Sequence, residues 1–327
     1  MKRPAAALVL AAFAVCLASA AWIPQAPPAR PRPTPTPDGR PTRLERASES
    51  SCNECHAEIV TEWASTLHAM AWEDELYQAD LVGRKKAESC HGCHAPLPLH
   101  ASGFEGKPQA RPDARHFGVS CESCHLAPDG ALLGPTGVAT DKHATRRAES
   151  LTGTGSNALC SACHRTTVGP VIGIAKDFEQ SELPAQGKSC VECHMSVVRT
   201  VERVGVKRDV RSHELQTPRD PAFLASAFSW KLLEADGRTK AVLTNLAGHR
   251  VPGLIGREIE FRARALDASG KEIAKATLVL DTSSYLPLGE SLEMELGARC
   301  AKVEIAGWVR DPRVEDARRF VELTLTP

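Results

Sequence analysis

The chain has 327 residues, and its 40 Lys/Arg are matched by 40 Asp/Glu, so its formal net charge is zero. The balance conceals an asymmetry: residues 1–46 hold seven Lys/Arg against two Asp/Glu, leaving 33 against 38 in the remainder, an excess of five negative charges. A body of that sign argues against nucleic acid as a partner and leaves docking to other proteins as the use of surface charge; the length admits two domains.

Lys2 and Arg3 open the chain, residues 5–17 are apolar, and Ala18-Ser19-Ala20 forms a small-residue cleavage site, the pattern of a signal peptide over residues 1–20. The alternative is an uncleaved anchor, since no charge occurs from Pro4 to Ala29; a spanning helix wants about 20 apolar residues. Cys16 lies inside the apolar core, and Phe13-Ala14-Val15 before it make a poor lipidation site. Residues 21–47 are rich in proline and arginine, as in Ala29-Arg30-Pro31-Arg32-Pro33-Thr34-Pro35, and predict an extended polyproline-type linker. Its charge would suit anionic lipid or an acidic partner, with a plain soluble spacer as the simpler role.

Residues 48–221 are expected to form one domain, dominated by five copies of Cys-x-x-Cys-His: Cys52/Cys55/His56, Cys90/Cys93/His94, Cys121/Cys124/His125, Cys160/Cys163/His164 and Cys190/Cys193/His194. They take ten of the twelve cysteines. The pattern is a covalent haem c attachment signal, in which two thiols add across the haem vinyl groups and the next residue supplies the proximal imidazole. A zinc half-site or a thioredoxin-like pair would not demand His in the following position five times over. Thiols two residues apart are also poorly placed to bridge each other. With five haem irons spread over residues 52–194, the haem faces are expected to supply the apolar core, wrapped by short helices and long loops, so this domain should be mainly α and irregular. The clearest helix follows the first motif, where Ile59, Trp63 and Leu67 fall near helical spacing.

From residue 222 to 327 the period becomes two. In Glu258-Ile259-Glu260-Phe261-Arg262-Ala263-Arg264-Ala265 apolar and charged residues alternate, and Asp267-Ala268-Ser269-Gly270 turns into a second strand ending Leu278-Val279-Leu280. Further strands are expected near 226–234 and 240–246 around Asp236-Gly237, then at 291–297, 301–309 and 319–326. Seven strands predict an all-β antiparallel sandwich. Cys300, its only thiol, is expected as a half-buried strand residue.

Seven histidines lie outside the motifs: His68, His91, His100, His116, His143, His213 and His249. A second imidazole closes an iron and suits it to electron transfer, whereas an iron with one protein ligand keeps an open position. His91 lies inside its own attachment loop, on the proximal side, and Met195 fails by the same argument. Met70 sits beside the better candidate His68.

The segment Cys52-Asn-Glu-Cys55-His56 through Trp63, Ser65 and His68-Ala69-Met70-Ala71 resembles the first motif of the multihaem cytochromes related to the tetrahaem cytochrome c-554. Gly118-Val119-Ser120-Cys121-Glu122-Ser123-Cys124-His125 and Cys160-Ser161-Ala162-Cys163-His164 resemble its third and fourth. This resemblance implies that His68 ligates the His125 haem and His143 the His56 haem. It also implies an open iron at His94, although the chain departs from the family there and His100 or His116 is available to fill the position. The fifth motif with Arg211-Ser212-His213 is similar to an arrangement in larger multihaem cytochromes, which assigns His213 to the His164 haem. Asn245-Leu-Ala-Gly248-His249-Arg-Val-Pro252 resembles a segment of their C-terminal β domains. It either brings His249 to the His194 haem or is an ordinary turn.

The expected function is that of an exported pentahaem carrier of single electrons between redox protein partners, periplasmic or otherwise extracytoplasmic, and membrane-anchored if residues 1–20 are retained. The alternative is a reductase of a small nitrogen or sulfur oxyanion at one open haem, with Lys107, Arg111, Arg115 and His116 as candidate anion-binding and proton-donating groups. Against it, no motif is a Cys-x-x-Cys-Lys variant. A third role, docking through the β domain and the Pro/Arg linker, is compatible with either.

Overall fold

The computed structural model describes residues 51–168, 173–203, 205–254 and 256–327. The expected signal peptide, anchor and linker lie outside them. Among the described residues, no helix is long and apolar enough to cross a membrane.

The first half is built from short helices. They are α1 (Asn53–Ala64), α2 (Glu75–Leu81), α3 (Glu88–His94), α4 (Leu99–Ser102), α5 (Cys121–His125), α6 (Ser156–His164), α7 (Ile174–Gln180) and α8 (Cys190–His194). Helix α1 buries Val60, Trp63 and Ala64 but stops at Ala64, so Leu67 falls beyond the helix that its spacing suggested. Two small sheets interrupt the helices. A parallel pair, β1 (Leu132–Gly134) and β2 (Thr145–Arg147), sits in the loop after the third motif. An antiparallel hairpin, β3 (Val197–Arg203) and β4 (Val206–Arg211), follows the fifth. Side-chain clusters here are small, such as Val60/Trp63/Ala64 and Leu99/Leu159/Ala162, whereas one continuous cluster serves the C-terminal half.

That second cluster starts with α9 (Pro221–Ser226), whose Leu224 is 3% exposed and packs with the strands, so the helix spans the expected boundary at 221/222. Asp220 caps α9, accepting from the backbone N–H groups of Ala222 and Phe223, and Pro221 occupies its first turn. The strands follow as β5 (Phe228–Ala235), β6 (Arg238–Asn245), β7 (Glu258–Leu266), β8 (Glu272–Leu280), β9 (Ser291–Ala298), β10 (Lys302–Arg310) and β11 (Arg318–Leu325). They form two antiparallel sheets, ordered β11-β10-β7-β8 and β5-β6-β9. The alternation read from the sequence is real: Ile259, Phe261, Ala263 and Ala265 point inward, as do Val303, Ile305 and Val309. Phe261 is fully buried and meets Phe228, Trp230 and Phe320 edge-on at 5.1, 5.1 and 5.6 Å between ring centroids, the preferred geometry for aromatic pairs. Cys300 is a correction. It is 7% exposed and lies in the connection between β9 and β10, not half-buried in a strand, because the tight turn tucks it under the core cluster.

Candidate haem centres

All five Cys-x-x-Cys-His motifs fall on helices, in α1 with its cap Cys52, then α3, α5, α6 and α8. One helical turn places residues i, i+3 and i+4 on one face, so both thiols and the imidazole address the same side in the motifs of α3, α5, α6 and α8, whereas His56 leaves helical geometry at a kink in α1 (φ −118°, ψ 34°). Helices α5 and α8 have only five residues, and each is fixed by a capping box, Ser120 with Ser123 and Ser189 with Glu192. None of the ten motif cysteines is in a disulfide.

Thiols of different motifs come together. The thiols of Cys52 and Cys121, of Cys93 and Cys163, and of Cys160 and Cys190 lie close enough to shift each other's titration. The backbone supports the last pair, since Asn157 of α6 accepts from Cys190 N–H at 2.9 Å. First and third motifs are therefore neighbours, and the fourth adjoins both the second and the fifth.

The histidines form three facing pairs. Ring centroids are 6.0 Å apart for His68 and His164, 6.2 Å for His125 and His213, and 6.3 Å for His194 and His249. Two imidazoles sharing one transition metal need about 6 Å between centroids, from two metal–nitrogen bonds of about 2.0–2.1 Å plus the ring radii. In four of these six rings Nδ1–H donates to a backbone carbonyl: His125 to Leu133 at 2.8 Å, His213 to Arg211 at 3.0 Å, His194 to Gln216 at 2.7 Å, and His249 to Arg250 at 2.8 Å. That bond leaves the Nε2 lone pair free for a metal. Burial pushes His125, His164, His213 and His249 below the usual imidazole range, and burial together with the charges of His164 and His194 takes His68 down to about 4. The rings are thus held neutral, the form that ligates metal. These residues fit haem c.

The pairing differs from the one the resemblance implied. His68 faces His164, not His125, and His213 faces His125, not His164. The His68 backbone is nevertheless docked on the third motif's approach, where Val119 N–H donates to His68 O at 2.8 Å. Gly118 there has φ +56°, and a Cβ on it would lie 2.3 Å from that carbonyl. Proximity of the main chain to one motif while the ring points to another is a tertiary fact that no local spacing reports. His249 lies opposite His194, on a loop between β6 and β7. That loop is pinned by Asn245, whose amide donates to His249 O at 2.9 Å and Leu286 O at 3.0 Å. It is pinned too by Arg250, which clasps Asp177 of α7 through Nε and Nη2 at 2.6 Å each.

The first two motifs are different. Among the described residues His143 makes no ring contact with His56; its Nδ1 is buried without a hydrogen-bond partner. His94 donates from Nδ1 to Ala71 O at 2.6 Å and stacks on Tyr77 at 3.6 Å, and no imidazole faces it at the separation of the other pairs. His100 is turned away, with Nε2–H donating to Cys124 O at 3.1 Å; His116 packs on Phe117, and His91 on Trp72. The β domain reaches this region as well, through Arg313, whose Nε lies 2.5 Å from the Asp74 carboxylate that caps α2. Sequence reading missed the ion pairs of Asp74 with Arg313 and Asp177 with Arg250, since nothing local distinguishes Asp74 or Asp177 from a surface carboxylate.

Residues 51–126 match the family model described as cytochrome c554 and c-prime. Among solved structures, the chain is similar to a penta-haem cytochrome c552 from Thermochromatium tepidum at 17% identity, covering 84% of this chain and 97% of that one with a TM-score of 0.58. A glycosyl hydrolase family 2 member from Bacteroides cellulosilyticus aligns over 31% of this chain and 13% of its own at 11% identity, and its TM-score of 0.19 is too low to carry an argument. No curated protein matches in sequence. With five attachment motifs on helices and a family match over the segment that holds the first three of them, the chain is similar to the multihaem c-type cytochromes related to cytochrome c554.

Proposed function

We propose that the protein is an exported pentahaem cytochrome that carries single electrons between redox partner proteins. The observation that carries this reading is the set of three facing imidazole pairs, His68 with His164, His125 with His213 and His194 with His249, which would each close an iron against small ligands. Haem c bound at the five motifs supplies one-electron iron chemistry. The chain's own residues do the rest. Ten cysteines, Cys52, Cys55, Cys90, Cys93, Cys121, Cys124, Cys160, Cys163, Cys190 and Cys193, attach the groups, and His56, His94, His125, His164 and His194 are the proximal ligands. His143, with its unpartnered buried Nδ1, is the proposed second ligand at His56.

The thiol contacts propose an order for the centres. The first adjoins the third, and the fourth adjoins the second and fifth. Charge from Cys124 also reaches Cys160 and Cys163, which links the third to the fourth. The fourth is then a junction with three neighbours, a layout suited to conduction more than to a single reaction. Cys55 and Cys193 are the exposed motif thiols, so the first and fifth centres are the proposed contact points for partners. Residues 1–20 would direct export and, if retained, hold the protein at a membrane through the linker of residues 21–47.

A specific observation keeps the reductase in view: His94 has no facing imidazole among the described residues. Electron paramagnetic resonance on the oxidised protein, followed by carbon monoxide added to the reduced protein, separates the two. Haem content of five per chain, mostly low-spin signals and no carbon monoxide shift support a carrier. High-spin signals from most irons would overturn the proposed pairs, and a single carbon monoxide-binding iron would shift the weight to a reductase.

A further inference from the structure

Four charged side chains are buried among the described residues: Asp74, Arg111, Arg257 and Asp311. Three of them belong to one chain of ion pairs, Arg257 to Asp311 and Arg313 to both Asp311 and Asp74. Arg111 does not. It is 9% exposed, and its guanidinium donates only to neutral acceptors: Ser120 Oγ at 2.8 Å, Gly118 O at 2.7 Å and Ala114 O at 3.3 Å. Its Nε is buried with no acceptor at all. The field of Glu122 reaches it but does not offset the burial. Burying a guanidinium without an anion is costly, and a planar fork of donors matches a carboxylate.

The position says which carboxylate. Arg111 N–H donates to Ala95 O, one residue beyond the second motif, and its head group lies against Ser120, one residue before the third. No solvated loop residue would be locked between two attachment helices in this way. We propose that Arg111 is the counter-ion of a haem propionate, belonging either to the group attached at Cys90/Cys93 or to the one at Cys121/Cys124. The proposal rests on haem attachment at these motifs. A cation held beside a propionate favours the reduced iron, so Arg111 raises the reduction potential of that one centre.

The test is potentiometric titration of the full holoprotein in wild-type, Arg111→Gln and Arg111→Lys forms, each checked for covalent haem content. The expected result is that Arg111→Gln lowers the reduction equilibrium of one haem about tenfold, about 59 mV for a one-electron couple, while Arg111→Lys, which keeps the charge, restores most of it. If the shifted centre is the one attached at Cys121/Cys124, its change will also disappear in a protein lacking those two cysteines; if it is the one at Cys90/Cys93, the change will persist there. Five unchanged potentials in Arg111→Gln with full haem content would overturn the proposal. Should Arg111→Gln fail to fold, an experimental structure of the wild-type holoprotein decides instead: a propionate oxygen hydrogen-bonded to the guanidinium supports the assignment, and its absence refutes it. A chain found without covalent haem would fail the underlying reading and not this one.

Discussion

Replacing Asp177 by asparagine probes how the β domain delivers His249. The Asp177 carboxylate receives Arg250 backbone N–H at 3.1 Å and its Nε and Nη2 at 2.6 Å, with the two side chains only 13% and 15% exposed. Exposed pairs contribute under about 1 kcal/mol, whereas removing one partner of a buried pair costs about 3–5 kcal/mol. These exposures place Asp177→Asn nearer the second limit, at about 2–4 kcal/mol, since asparagine keeps one acceptor but leaves the guanidinium without its anion. In a protein of this size that lowers the melting temperature by about 3–6 °C. The loss is concentrated in the loop that carries His249, so a high-spin component should also appear in the oxidised spectrum of the His194 centre. The assays are a thermal melt followed by circular dichroism and low-temperature paramagnetic resonance on the same sample. An unchanged melting temperature with an unaltered low-spin spectrum would refute the idea that this clasp holds the ligand.

Three further outcomes follow from the geometry. His68→Ala should open one iron to carbon monoxide, and in a protein lacking Cys160 and Cys163 the same substitution should add no further carbon monoxide binding, since His68 faces His164. Phe261→Ala removes a fully buried ring from the contact of Phe228, Trp230 and Phe320 and should cost about 3–5 kcal/mol in a denaturant titration with haem content unchanged. Burial alone would raise the Asp74 and Asp177 carboxyls, but hydrogen bonds and charge from Arg313 and Arg250 hold both below the ordinary value of 3.8. Depressed folded values mean that these pairs stabilise the protein fully above the unfolded carboxylate range and are lost as pH falls through the folded values. Denaturant titrations from pH 6 down to about 3 should show stability falling more steeply in wild type than in a Asp74→Asn/Asp177→Asn protein.

The strands of the β domain were legible because their information is local. Most of the seven carry their own period of two, as β7 and β10 do, and the turns at Asp236-Gly237 and Asp267-Ala268-Ser269-Gly270 separate strands. The hairpin Val197–Arg203/Val206–Arg211 was not, since its exposed valines and mixed charges alternate too weakly to mark a buried face.

For the haem centres the division is sharper. The spacing that attachment needs is one helical turn, so five candidate motifs and their candidate proximal histidines are legible in the residues alone, and all five fall on helices. In the three facing pairs the second imidazole lies 96 residues away for His68 and His164, 88 for His125 and His213, and 55 for His194 and His249, and local pattern cannot say which ring it will face. Only the packing of α1 against the third motif's approach, with the ring of His68 directed at α6, decided that His68 meets His164 and His213 meets His125. Arg111 makes the same point in charge: a sequence shows a cation in a polar loop, and the fold buries it between two attachment helices where only an anion can balance it.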